Sequence, residues 1–377
     1  MFIDIHVLQS LPSSNINRDE TGSPKTAYFG GVTRARVSSQ AWKYAMRKAF
    51  QAYMEKQEAA TGNDYSWIRS LRTRRGPIQL ANDIQKLAPN MSNENAQKLS
   101  DTIFERVGLE VNDEKSTQPH CTKVGLMISL EQLQHVAKYA VDNADFIMDS
   151  KNKKKAKTIL NGLFSQDKAL DLTLFGRMVV NDEVLSVDGT SQVAHAISTH
   201  EIEPEFDYFA AVDDVEGAKG AMMLDDREFN SATYYRYGNV NLTRFLDSFD
   251  NNENAIEGIK LFIKSFILSM PTGEQNAYAN RVDPQYVMIT LRNDSPVSLV
   301  NSFEVPVQSD GGYMQPSINR LEAQYKKTSK FHEPVVANYI LTTEKSDLDN
   351  QTDNLTDLTN KIMTKIKEVA INENTND

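Results

Sequence analysis

From Phe2 to Leu8 the chain sets Ile3, Ile5 and Val7 in alternation with Phe2, Asp4 and His6, a period of two in which both faces are mostly apolar. Such a segment is expected at the centre of a sheet, and everything else must be arranged around it. Strand patterns resume late, at Tyr286 to Arg292 and Val335 to Leu341, while Ile256 to Met270 and Leu355 to Ala370 carry helical spacing. Between about 58 and 190 the character changes to polar loops with Arg69, Arg72, Arg74 and Arg75, then helical patterns around Leu130 to Met148 and Ala156 to Phe164. Gly176-Arg177-Met178 and the stretch up to Gly189 predict a turn and a short strand or hairpin. The order strand, helix, large insertion, helix, strand predicts an α+β domain interrupted by other units, and 377 residues suffice for two or three.

The segment after the first strand is where chemistry gathers. Residues Ser10 to Pro24 read as a polar loop containing Asn17-Arg18-Asp19 and followed by Lys25. After Phe29-Gly30-Gly31 the period returns to two, with Val32, Arg34, Arg36 and Ser38 on one face of a strand. Ser38 and Ser39 are good N-caps for the clearest helix in the chain, whose buried stripe is Trp42, Ala45, Met46, Ala49, Phe50 and Tyr53. On its other side Gln40, Lys43, Arg47 and Gln51 form one polar row that no acid interrupts. A helix N-terminus already favours an anion, and these cations continue that surface. With Arg18, Lys25, Arg34 and Arg36 nearby in sequence, a row of phosphates several nucleotides long fits better than one mononucleotide.

The overall charge opposes that reading only in sum. The chain carries a formal −10, yet residues 1–100 hold 14 Lys/Arg against 8 Asp/Glu, so a polyanion has one candidate surface. Glu201 to Glu228 hold ten acids against two bases, Lys219 and Arg227, and should face solvent or a basic partner. The run Lys151, Lys153, Lys154, Lys155 and Lys157 would attract phosphates, and its plainer reading is a solvated loop and helix face.

Other chemistries find little support. Cys121 is the single cysteine, which excludes an internal disulfide and multi-cysteine zinc or iron–sulfur sites. The chain lacks Gly-x-Gly-x-x-Gly, a phosphate loop, His-Glu-x-x-His and Gly-x-Ser-x-Gly. His195 and His200 lie five apart and His120 adjoins Cys121; as metal ligands they are a weak pattern, and no metal or cofactor is expected. The longest apolar stretch, Ile259 to Met270, is interrupted by Lys260 and Lys264, and the opening Met1 to His6 lacks a secretion signal's basic and apolar regions. A cytoplasmic location with no membrane partner is the expectation.

Several longer motifs, taken in order, resemble the CasC family, the guide-RNA-binding backbone subunits of Cascade, the type I-E CRISPR surveillance complex. They are Ile3-Asp4-Ile5-His6-Val7-Leu8, Asn17-Arg18-Asp19, Phe29-Gly30-Gly31, Arg36-Val37-Ser38-Ser39-Gln40 with Lys43 and Ala45-Met46-Arg47-Lys48, and Gly176-Arg177-Met178. Further along come Ala194 to His200, Phe209 with Ala211-Val212-Asp213-Asp214, Tyr235-Arg236-Tyr237 and Gln315-Pro316-Ser317-Ile318, so the resemblance spans nearly the whole chain.

The resemblance implies an RNA-recognition-motif-like palm with a helical fingers insertion and a thumb hairpin. The palm would take residues 1–58, 191–202 and 235–377, the fingers 59–190 and the thumb 203–234. Several copies would stack in a helical filament along one guide RNA (crRNA), each thumb displacing a nucleotide of its neighbour's RNA and leaving the bases between free to pair with target DNA. Arg18, Lys25, Ser38, Gln40, Lys43 and Arg47 would hold the RNA backbone, and Met178, Phe209 and Leu224 would frame the displaced nucleotide. The plainer readings are core for Met178 and Leu224 and packing inside the thumb for Phe209. The loop Pro271 to Tyr278 departs from the pattern, because Glu274 stands where relatives can carry basic residues. Partners would be the guide, target DNA through it, other copies of the chain and other Cascade subunits. No catalysis is required; the rival, an endoribonuclease, needs a histidine or metal-binding carboxylates against the phosphate row, where Asp19 stands alone.

Overall fold

The computed structural model describes residues 1–166, 168–179, 185–212 and 221–373. The chain begins with β1 (Phe2–Ser14), β2 (Thr26–Phe29) and β3 (Val32–Val37), then the long α1 (Ser39–Thr61). The insertion follows as β4 (Ser70–Thr73), α2 (Gly76–Leu87), α3 (Asn93–Arg106), β5 (Leu126–Ser129), α4 (Leu130–Asp142), α5 (Ala144–Met148), α6 (Lys153–Ser165) and α7 (Leu170–Phe175). Next come β6 (Ser191–Val193), β7 (Ala196–Ser198), β8 (Glu205–Val212), β9 (Ala221–Asn241), α8 (Leu242–Leu246), α9 (Asn252–Leu268) and α10 (Gln275–Tyr278). The chain closes with β10 (Tyr286–Arg292), α11 (Met314–Thr328), β11 (Ala337–Thr342) and α12 (Leu355–Glu373).

These elements form two compact units: Met1–Met46 with Ser191–Leu246 and Asn251–Asp377, and Arg47–Thr190 with Asp247–Asp250. In the first, nine strands make one sheet in the order β11-β10-β1-β9-β7-β3-β2, with β6 and β8 also paired to β9. Pairing between its strands is antiparallel, and β1 lies between β9 and β10, with Ile5 opposite both Gly238 and Ile289. The central position expected for Phe2 to Leu8 follows from its two apolar faces. On one face Leu8, Tyr235, Tyr286 and Met288 pack under Phe303 and the α11 residues Ile318 and Leu321. On the other, the absence of a side chain at Gly238 lets α9 lie close, since a Cβ there would stand 2.7 Å from the Phe266 ring. Arg236 locks α1 to that face: its guanidinium lies 3.8 Å from the centre of the Trp42 ring and donates to Gln9 Oε1 at 2.7 Å.

The buried Asp4 and His6 of β1 are both paired. Asp4 accepts from the Tyr237 hydroxyl at 2.8 Å and Arg292 Nε at 3.1 Å, and His6 Nδ1 lies 2.9 Å from the Tyr235 hydroxyl. Burial pushes the Asp4 carboxyl up to about 6 and pushes the His6 ring down to about 3, the latter helped by the Arg292 charge.

The second unit is mainly helical and has its own core, built from Leu80, Ile84, Leu99, Ile103, Phe104 and Leu133 with their neighbours. The short β4–β5 pair sits in it, and α4 starts with a capping box in which Ser129 and Gln132 satisfy each other's backbone amides. Among the described residues no helix is long and apolar enough to cross a membrane.

Candidate nucleic-acid interface

The turn after β1 is held by short-range hydrogen bonds. Asp19 Oδ1 accepts from the Thr21 hydroxyl at 2.7 Å and from the Thr21 and Ser23 amides at 2.8 and 3.2 Å, bonds that hold its carboxyl below the usual range. Asn17 ties this loop to the start of α1: its Oδ1 accepts from both the amide and the hydroxyl of Ser38 at 2.9 Å. Backbone bonds complete the patch, Lys25 N donating to Asn17 O at 2.9 Å and Arg36 N to Lys25 O at 2.8 Å. Arg18, Lys25, Arg36 and the first turn of α1 are thereby brought together in the first unit.

The cations of this patch differ in their freedom. Arg36 donates through Nε to Thr26 O at 2.8 Å, and its Nη1 lies 3.3 Å from His195 Nδ1. Partial burial, then the Arg36 and Lys25 charges, push the His195 ring below its usual range, so it sits as a neutral imidazole beside two cations. Gln40 is exposed at the helix start, and Lys43, one turn on, is half-buried, its ammonium pushed down by that burial. Arg18 is held by the carboxylate of Glu274.

Three expected ligands take other roles. Arg34 is fully buried: it donates to the carbonyls of Phe29 at 3.1 Å, Ser198 at 3.0 Å and Phe303 at 2.7 Å, and so fastens β3 to the segment after β10. It shares a strand face with Arg36, but the Phe303–Glu304 segment covers only the inner position. Arg47 belongs to the second unit, where its Nε donates to the buried Asp171 at 2.7 Å and its Nη2 to Ser70 O at 2.9 Å. The acid missing from the helix row is thus supplied from α7, and it engages the Arg47 guanidinium. Ser38 is buried, and its hydroxyl positions Asn17.

The expected wedge residues stand at the surface. Gly176 takes φ 74, and a Cβ there would lie 2.5 Å from the Val187 carbonyl oxygen. Beside it the buried Arg177 donates to the carbonyls of Leu185, Met127 and Phe164 at 2.6, 2.9 and 3.1 Å. This clamp turns Met178 outward to 85% exposure, which removes its core reading. Leu224 is exposed as well, and Phe209 is half-buried beneath the Arg227 guanidinium, 5.1 Å from the ring centre. In the β8–β9 hairpin Phe209 pairs with Asp225 and Leu224 with Ala210, so alternation puts the two apolar side chains on opposite faces. Phe206 and Tyr208, both exposed, share the Leu224 face.

Sequence reasoning passed over Arg227, one of two bases in an acidic stretch; the signal was its isolation among acids. Glu203, Glu205, Asp207, Asp225 and Asp226 are exposed along the hairpin, while Asp213 and Asp214 lie outside the described residues. The lysines of the 151–157 run are solvent-facing on and before α6, whose Ala156, Leu160 and Phe164 are buried. His200 is buried, its Nε2 accepting from Thr233 N at 3.1 Å and its ring stacked on Tyr313. Among the described residues no three His, Cys, Asp or Glu side chains converge as a metal site.

Comparison with known proteins finds one family and, among solved structures, chains of CRISPR assemblies. The family described as CT1975-like protein matches residues 3–369. A chain of a solved "CRISPR RNA-guided surveillance complex, pre-nicking" is 29% identical and superposes over 97% of this chain and 100% of its own length, with a TM-score of 0.80. A chain of a second "CRISPR RNA-guided surveillance complex" is 25% identical over 97% of this chain and 99% of its own, with a TM-score of 0.61. No curated protein matches the chain.

Proposed function

Because this chain belongs to the CT1975-like protein family, we propose that it is the guide-RNA-binding backbone subunit of a CRISPR surveillance complex of the type I-E Cascade kind. The observation that carries this reading is the fit of nearly the whole chain to a chain of an RNA-guided surveillance complex at a TM-score of 0.80. The nine-stranded unit serves as the RNA-recognition-motif-like palm, the β8–β9 hairpin as the thumb and the mainly helical unit as the fingers. Arg18, Lys25, Arg36, Gln40 and Lys43 bind successive phosphates, a contact that carries no sequence information. Met178 and Leu224, both exposed, and the half-buried Phe209 are apolar side chains that substitute for base stacking where a nucleotide is displaced. Copies polymerise along the guide, and target DNA is read by base pairing with the exposed guide bases. The subunit performs no chemistry: the Asp19 carboxylate is consumed by its own turn, and the one histidine in the cationic patch, His195, sits against Arg36.

Titrating the chain with two labelled single-stranded RNAs of equal length and unrelated sequence tests the reading. Equal affinities are expected, with a linear log–log salt dependence of about −0.7 per phosphate contact. Discrimination beyond about tenfold, or cleavage of either RNA, overturns it.

A further inference from the structure

A single carboxylate stands between two arginines at the root of the hairpin. One oxygen of Glu274 pairs with Arg18 Nη1, in the loop after β1, and the other accepts from Arg227 Nη1, on β9, at 2.9 Å. The placement is built into the backbone. At Gly273 a Cβ would stand 2.6 Å from the Ile16 carbonyl oxygen, so only glycine lets the 271–278 loop close on residues 15 and 16. Glu274 itself adopts φ 50, a left-handed conformation uncommon outside glycine, which aims its side chain from that closed loop. Asn15 Nδ2 donates to the carbonyls of Gly22 and Glu228, at 2.9 and 3.0 Å, binding the loop after β1 to β9. The Glu274 side chain is 17% exposed, whereas each arginine is 47% exposed and accessible from outside.

A carboxylate with one negative charge shared over two oxygens presents to two guanidinium groups what a phosphodiester presents with its two non-bridging oxygens. We propose that Glu274 is a surrogate phosphate: in the RNA-free chain it occupies the place between Arg18 and Arg227 that a guide phosphate takes on loading. Arg227 is then a phosphate-binding residue of the thumb root that composition alone hides among acids. Because its guanidinium also covers the Phe209 ring, the exchange links the grip on the backbone to the freeing of the wedge face. The inference rests on the reading that Arg18 meets RNA.

The two claims separate experimentally. Glu274→Gln keeps the shape and removes the charge. With the internal competitor gone, binding of a single-stranded RNA long enough for one copy should tighten about 3- to 10-fold, the worth of one or two exposed ion pairs. The salt slope should steepen, because internal ion pairs that salt also weakens no longer offset the salt sensitivity of the phosphate contacts. Arg227→Ala and Arg18→Ala should each weaken binding. Glu274→Asp, too short to span both arginines, should tighten binding too and serves as the second variant should Glu274→Gln fold poorly in a melting control. Weakened or unchanged binding in folded Glu274 variants makes Glu274 a brace and overturns the proposal, as does wild-type affinity in Arg227→Ala. If Arg18→Ala and Lys43→Ala both bind RNA as tightly as the wild type, the RNA reading of this patch fails and the proposal with it.

Discussion

Two basic residues on neighbouring elements show how differently one residue type is used. Arg34 is buried against three carbonyl groups, and each acceptor stranded by its removal costs about 1–3 kcal/mol. Arg34→Ala should therefore lower the chemical-denaturation midpoint severely. Lys43→Ala should cost much less stability than Arg34→Ala and instead flatten the salt dependence of RNA binding by about 0.7. A Lys43 variant with an unchanged salt slope would remove that residue from the phosphate path. The buried pair in β1 makes a pH prediction. The His6 ring titrates at about 3 in the fold against 6.5 unfolded, so the unfolded state takes up its proton first and stability is lost as pH falls below 6.5. Asp4, raised from 3.8 to about 6, acts in the opposite sense: the folded state takes up its proton first, so stability is gained as pH falls from 6 towards 4. The two offset each other over that shared window. Melting curves should show His6→Gln gaining on the wild type below pH 6.5, by up to about 1.4 kcal/mol per pH unit. A constant difference across pH would mean that the ring titrates in the fold as it does in the unfolded chain.

At the scale of elements, β9 does two jobs in one strand. Its first half pairs with β8 as the exposed hairpin, and its second half pairs with β1 inside the sheet, from Leu11↔Ala232 to Phe2↔Asn241. That partner explains why β1 extends to Ser14 through a stretch that reads as loop: Ser10 meets Thr233, their hydroxyls 2.7 Å apart, before the register shifts beyond Leu11. The opposite facing of Phe209 and Leu224 has a consequence for binding. On the proposed RNA-binding role each would meet a different base surface, worth at most about 1–3 kcal/mol, so the losses on Phe209→Ala and Leu224→Ala should add in the double variant. Titration of the four proteins with one RNA decides it; a double variant no worse than either single one would put both side chains on the same base. Periodic protection of the guide in chemical probing should also blur in each single variant.

For the molecule as a whole, charge is distributed by role. The hairpin acids Glu203, Glu205, Asp207, Asp225 and Asp226 are exposed, and within a Debye length of about 8 Å of a guide they would oppose binding. In a stack of copies they should instead face basic side chains of the next copy, the fingers cluster Arg69, Arg72, Arg74 and Arg75 being the candidate partner, in a head-to-tail contact that propagates. Replacing Glu203 and Glu205 with Lys should then reduce cooperative loading on a long RNA more than binding to an RNA with room for one copy. Light scattering and titration at the two lengths read this out, and equal effects would mean that these acids are simply solvated.

Periodicity alone determined the central elements. The two-residue alternation of Phe2 to Leu8 and Tyr286 to Arg292 and the three- and four-residue spacing of Trp42, Met46 and Phe50 are local, and a local pattern suffices when its physical cause is which face must leave water. The motif Gly176-Arg177-Met178 was legible in the same way as a turn. What the tertiary structure alone decided is which charged side chains remain available. Arg34 and Arg36 have the same sequence signature, yet one is roofed by Phe303 and Glu304, some 270 residues away, and the other is not. The row through Lys43 and Arg47 looked free of acids because Asp171 lies 124 residues on. Glu274 reaches Arg18 across 256 residues and Arg227 across 47. A charge's partner is whatever the fold brings within a few ångströms, a distance that spacing along the chain does not encode.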